Sequence, residues 1–224
     1  MNDRKSLVAL TASIIMTSLL VTTIVRGPLA VRADTPGATT LAPVPLTGNW
    51  VADPMHTNVV FTIQHLGISL VRGRFDDMAG TISADSEHPE KSSVQFTIQT
   101  ASIDTNVKMR DDDLRSKNYF DAATYPTITF VSTSVEKGKH GGYVAHGDLT
   151  IHGITKNIAL PFTINGPIHD PFGGVRFAVL THVVLNRQDF GVGGHDVISN
   201  GSLAIGNDVD IDISLEAVPP KPAG

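Results

Sequence analysis

In Asp208-Val209-Asp210-Ile211-Asp212-Ile213-Ser214-Leu215-Glu216 every second residue is apolar and every other one is polar. Side chains of a β-strand point alternately to its two faces, so this pattern describes a strand with one dry face and one wet face. A helix would scatter the same four aliphatic residues around its circumference. The segment therefore sets a period of two against which the rest of the chain is compared.

The period recurs. In Val59-Val60-Phe61-Thr62-Ile63-Gln64-His65, one face carries Val59, Phe61 and Ile63 while Thr62 and Gln64 point the other way. Val94, Phe96 and Ile98 repeat it against Gln95, Thr97 and Gln99. Further strands are expected at Gly48–Asp53, Ser69–Phe75, Gly80–Ala84, Thr127–Val135, Gly142–Ile151, Lys156–Asn165 and Gly174–Leu185. The stretch Thr105–Asp121 breaks the period, and a short helical insertion near residues 106–121, capped by Thr105 or Asn106, is the simplest account. Tyr125-Pro126 then restores extended backbone.

Regularly spaced strands in one mid-sized domain predict an all-β fold, a sandwich or an extended antiparallel β-barrel. Closure is favoured, because long strands with one apolar face would leave aggregation-prone edges in an open sheet. About eight strands closing on themselves leave room for side chains or for one slim ligand. The aromatic inventory, Phe61, Phe75, Phe96, Phe120, Phe130, Phe162, Phe177 and Phe190, is spread over nearly every strand. Periodicity leaves open whether these rings fill a solid core or line a hollow one.

The chain of 224 residues is 41% hydrophobic and 17% charged and contains no cysteine. That excludes disulfides, thiolate zinc sites, iron–sulfur clusters and thiol nucleophiles. Asp3, Arg4 and Lys5 precede an uncharged, mostly apolar run from Leu7 to Val25, and Val31-Arg32-Ala33 fits a small-x-small cleavage rule. Residues 1–33 are expected to be a signal peptide cleaved before Asp34, with an uncleaved inner-membrane anchor as the alternative. The expected address is periplasmic or secreted. A Pro-rich linker at 34–46, a barrel domain at 47–218 and a tail at 219–224 complete the chain. Of 17 basic and 22 acidic residues, cleavage would remove Arg4, Lys5, Arg26 and Arg32 against Asp3 alone, leaving 13 against 21, net −8. That balance argues against nucleic acid and anionic membrane surfaces as partners.

Several polar groups invite a catalytic or metal reading. Asp53 and His56 are three apart at a strand end, and with His65 they are the candidates for acid–base chemistry on a small hydrophobic substrate. The competing account is that Asp53 and His56 tie down a turn. His140, His146 and His152 are six apart but interrupted by glycines, and His195-Asp196 lies among glycines too, so structural roles are expected. Asp111-Asp112-Asp113 lacks the alternating ligands of a calcium loop. Asn200-Gly201-Ser202 reads as a glycosylation sequon or, with no extra assumption, as a tight turn. No metal, no cofactor and no catalytic residue is expected.

Several segments, in order, resemble the YceI-like family of exported, polyisoprenoid-binding, lipocalin-like proteins. They are Trp50-Val51-Ala52-Asp53-Pro54-Met55-His56-Thr57-Asn58-Val59-Val60-Phe61, His65-Leu66-Gly67, Gly73-Arg74-Phe75, Arg110-Asp111, Leu114-Arg115-Ser116, Phe120-Asp121, Tyr125-Pro126-Thr127-Ile128-Thr129-Phe130, Gly147–Lys156 and Asn186–Val192. Thr57 stands where the family usually has serine, and keeps the hydroxyl. The resemblance implies a lipocalin-like barrel of about eight strands holding a polyprenyl chain or an isoprenoid quinone in an apolar tunnel, without catalysis. Carriage, storage or protection of that lipid would follow, with no membrane insertion of the mature domain and a homodimer allowed. It also gives the inward residues a role. Val59, Phe61, Ile63, Phe75, Phe96, Ile98, Phe120, Phe130, Leu149, Phe162, Phe177 and Phe190 become the expected ligand contacts. Asp53, His56, Arg110, Asp111, Arg115, Arg187 and Asp189 would mostly hold loops and barrel ends, with one or two meeting a polar head group. A solid barrel with a protein partner is the remaining alternative.

Overall fold

The computed structural model describes residues 44–194, 197, 201 and 203–221. The expected signal peptide, most of the linker, the end of the tail, His195-Asp196, Asn200 and Ser202 lie outside these residues, as does the side chain of His140. The strands are β1 (Thr47–Ala52), β2 (Asn58–His65), β3 (Ser69–Phe75), β4 (Met78–Asp85), β5 (Ser93–Gln99), β6 (Ile103–Asp104), β7 (Thr127–Lys137), β8 (Tyr143–Ile151), β9 (Ile154–His169), β10 (Val175–Asn186) and β11 (Ile205–Val218). A single α-helix among the described residues, α1 (Lys108–Arg115), interrupts them.

Antiparallel pairing runs β1-β4-β5-β7-β8-β9-β10-β11 and returns to β1, closing an eight-stranded barrel. The alternating segment of β11 is the seam of this closure. One edge pairs with β10 over Asp208–Ala217, and the other is shared by β2, which faces Ile205–Ser214, and β1, which faces Ala217 and Val218. β1 and β2 thus lie in line along one edge, separated by a turn at residues 53–57. From β2 the sheet continues to β3 and the two-residue β6. One end of the barrel is walled by β1 and β4, the other by β2, β3, β6 and the segment that carries α1.

Each expected strand is present, and the differences have local causes. β9 runs beyond both expected ends, because β8 pairs with it from Ile154 and β10 continues alongside it to Val175, with a register shift between Arg176 and Ala178. β6 is too short to carry a period. The helix is also shorter than expected, ending at Arg115, where Ser116 leaves the helical conformation. Its cap differs too. Val107 occupies the cap position with no side-chain bond, because Asn106 has a left-handed φ of 61° and Thr105 faces inward. Asp111 instead ties the helix to the segment before it: its Oδ1 accepts from the Thr105 backbone N–H at 2.8 Å and from the Thr105 hydroxyl at 2.5 Å.

Apolar residues from nearly every strand meet inside, with Trp50, Val59, Ile103, Phe177, Phe190 and Ala217 among the most buried. No helix among the described residues is long and apolar enough to cross a membrane.

Candidate functional site: a two-chambered apolar interior

The barrel is hollow. A cavity of about 320 Å³ lies at the end walled by β2, β3 and α1, and a second of about 130 Å³ lies toward β1 and β4. The solid-barrel alternative is thereby corrected: the inward side chains do not fill the space that eight strands enclose.

Each residue named from the alternation borders one of the cavities. Val59, Phe61, Ile63, Phe75, Ile98, Phe120, Leu149 and Phe190 line the larger one. Phe162 and Phe177 line the smaller one, and Phe96 and Phe130 line both. Phe120 stands on no strand. It is brought in by the turn after α1 and meets Phe75 edge-on at 6.1 Å. The expected contacts omitted much of the aliphatic wall: Ile151, Ile158, Leu160, Val183, Leu185, Ile211 and Ile213 also face the larger cavity. Their signal was the same period of two.

The rings leave space because they lie against glycines of the wall. A Cβ at Gly80 would come within 2.6 Å of Phe96 Cδ2, and one at Gly147 within 2.7 Å of Phe130 Cζ. Phe61 covers Gly73 in the same way, so closely that a Cβ there would collide with its ring. Aromatics that flatten onto the strands cover backbone and leave the axis open.

Polar groups gather at the end of the larger cavity. His65, Thr105, Arg110, Asp113 and Arg187 are part of its lining. Arg110 donates from Nε to the Thr105 hydroxyl and from Nη2 to the Thr105 carbonyl, both at 2.7 Å. Arg187 is buried and donates to the carbonyls of Val192 at 2.6 Å, Gly206 at 2.8 Å and Gly194 at 3.0 Å, pinning the segment between β10 and β11. Arg115 does the same for the strand before α1, donating to the carbonyls of Ala101 and Ile103. Burial pushes the Asp111 carboxyl up, but the two bonds from Thr105 and the nearby Arg115 and Arg110 outweigh it and hold it below the usual carboxylate range.

Asp53 and His56 lie elsewhere. Asp53 accepts from His56 Nδ1 at 2.8 Å and from the Met55 N–H at 3.0 Å, while its own N–H bonds the Glu216 carbonyl. The His56 bond first of all, then the Met55 N–H and Arg176, lower the Asp53 pKa against the opposing effect of burial. Asp53, His56 and Glu216 bring one donor atom each within 4.8 Å of one another. The Arg176 guanidinium already sits among them, 2.8 Å from Glu216, 3.6 Å from Asp53 and 2.8 Å from Asp170. The group is a salt-bridged clasp on the turn between β1 and β2. His65 stands at the far end of β2, roughly 25 Å along the strand from His56, so the three acid–base candidates do not converge. Of the other histidines, His146 bonds Glu136 at 3.1 Å and His152 packs edge-on against Tyr125. Asp189 pairs with Lys156 at 3.7 Å.

Comparison with known proteins agrees with this architecture. The model of the YceI-like domain matches residues 50–217. A UPF0312 protein of Pseudomonas savastanoi pv. phaseolicola is 40% identical over 166 residues, which is 74% of this chain and 83% of that protein. Campylobacter jejuni YCEI protein superposes with a TM-score of 0.60 at 30% identity, covering 71% of this chain and 91% of that one. Burkholderia cenocepacia BcnA shares the fold with a TM-score of 0.65 at 24% identity, over 74% of this chain and 98% of that one. A polyisoprenoid binding domain from Saccharophagus degradans, implicated in plant cell wall breakdown, does so with a TM-score of 0.57 at 19% identity, over 76% and 98%. With a family model spanning the whole barrel and relatives of such identity over most of their length, this chain belongs to the YceI-like family.

Proposed function

We propose that the chain is an exported, non-enzymatic binding protein that holds one long isoprenoid-type lipid, a polyprenyl chain or an isoprenoid quinone, inside the barrel for carriage, storage or protection. The observation that carries this reading is the hollow apolar interior. Apolar walls that face one another without filling the space between them forgo the contacts of close packing. A slim hydrocarbon that occupied it would regain roughly 25 cal/mol for each Å² of apolar surface removed from water. The polyisoprenoid-binding domain that shares the fold supports the same ligand class. Polar groups at one end of the larger cavity suit a head group there and a tail running inward. Export rests on the charged start, apolar run and small-residue site at the amino terminus.

The test is to purify the mature protein from its native host without detergent, extract it with organic solvent and identify the lipid. An isoprenoid lipid in near-equal amount to protein is expected. Protein that carries no lipid and takes up no added isoprenoid quinone would overturn the proposal.

A further inference from the structure

The two cavities share four lining residues: Phe96 on β5, Phe130 on β7, Leu160 on β9 and Ile213 on β11. On each of these strands the shared residue stands between one that faces only the smaller cavity and one that faces only the larger. β5 reads Val94, Phe96, Ile98, and β11 reads Leu215, Ile213, Ile211. The cavities are therefore stacked along the strands, and the four side chains form a ring between them. Phe96 and Phe130 are directly opposed across β5 and β7, so one flank of the ring is a pair of aromatic faces.

We propose that this ring is a waist that reads ligand length, with Phe96, held back against Gly80, as the specificity-determining residue. The proposal rests on the lipid-binding reading above and deepens it. A chain short enough for the larger chamber rests on the near side of the waist without passing it. A longer one gains further burial only by passing it, so the protein selects prenyl chains that span both chambers. Gly80 sets the aperture. The other neighbour near a Cβ at this position is Ala52, at an ordinary 3.5 Å, so an added methyl presses on the Phe96 ring and drives it toward the axis. Trp50, the only tryptophan, is buried edge-on against Phe177 at 4.9 Å, and Phe177 lines the smaller chamber. Its fluorescence therefore reports on that chamber.

The experiment titrates delipidated protein with linear prenyl alcohols from geraniol through farnesol and geranylgeraniol to solanesol, reading affinity and Trp50 emission. In the unaltered chain, affinity is expected to rise with length, and the emission change to begin at the length that crosses the waist. Gly80→Ala should leave the short alcohols within about twofold and weaken the long ones by about tenfold or more, the loss of a few buried methylenes, with no emission change. Gly80→Ala/Phe96→Leu should restore both, and it serves as the readout if the single variant does not fold. Equal weakening of short and long chains, undiminished long-chain binding in Gly80→Ala, or no restoration in the double variant overturns the waist. Failure of the unaltered chain to bind any member overturns the lipid reading itself.

Discussion

Phe130 lies across Gly147 on the neighbouring strand, with its ring Cζ 2.7 Å from where a Cβ at position 147 would stand. The Val131 carbonyl oxygen is closer still, at 2.5 Å, so neither the ring nor the backbone can absorb a methyl in place. Gly147→Ala is expected to cost about 1–3 kcal/mol, as overpacking usually does. Urea unfolding checks it, with a lowered midpoint at unchanged slope as the expected result.

Arg187 holds the loop between β10 and β11 through backbone carbonyls from both sides of it. Arg187→Met keeps the bulk but leaves buried carbonyls without donors, at about 1–3 kcal/mol for each group left unsatisfied. Arg187→Lys should recover little, since a single ammonium cannot span acceptors that a planar fork reaches. Thermal melts of the two variants should therefore fall close together and well below the parent.

Asp111 and Asp53 contribute to the acid sensitivity, as do Asp85 and Asp170, whose pKa values are also lowered in the folded state. Each therefore contributes stability that is complete above the unfolded carboxylate value, about 4, and is lost as pH falls through the lower folded value. Stability should decline below about pH 4. Asp111→Asn should flatten that decline while lowering stability at neutral pH by about 2 kcal/mol, the usual worth of hydrogen bonds to a charged group. Urea midpoints measured across the acid range decide it.

Val183 faces the larger cavity from β10, away from the waist. Val183→Gln should weaken prenyl-chain binding by about tenfold, the effect of a buried amide without a partner costing about 1–3 kcal/mol. Val184→Gln, whose side chain is exposed, should leave binding unchanged. Titration of both variants with geranylgeraniol makes the comparison.

Much of the fold was legible because a period of two needs no tertiary information. Val209, Ile211, Ile213 and Leu215 face inward as their alternation requires. Boundaries were less legible where neighbours decide them, as in β9, which is prolonged by β10. The helix cap was misassigned because Thr105 is a good capping residue by type, yet a left-handed Asn106 turns it inward to Asp111. The wall of the site was visible only in part. The expected contacts included rings that lie on glycines and several aliphatic neighbours, but passed over Leu160 and Ile213, whose place in the waist depends on four distant strands meeting at one level. The turn tie favoured for Asp53 and His56 was legible from their spacing at a strand end, but Arg176, which joins it from far along the chain, was not.

The central claim is that this barrel encloses a prenyl lipid, and native mass spectrometry of the detergent-free protein measures it most directly. The account predicts a complex of one chain with one isoprenoid-type lipid, regained when delipidated protein is incubated with geranylgeraniol or solanesol. A spectrum showing only the bare chain before and after that incubation would contradict it.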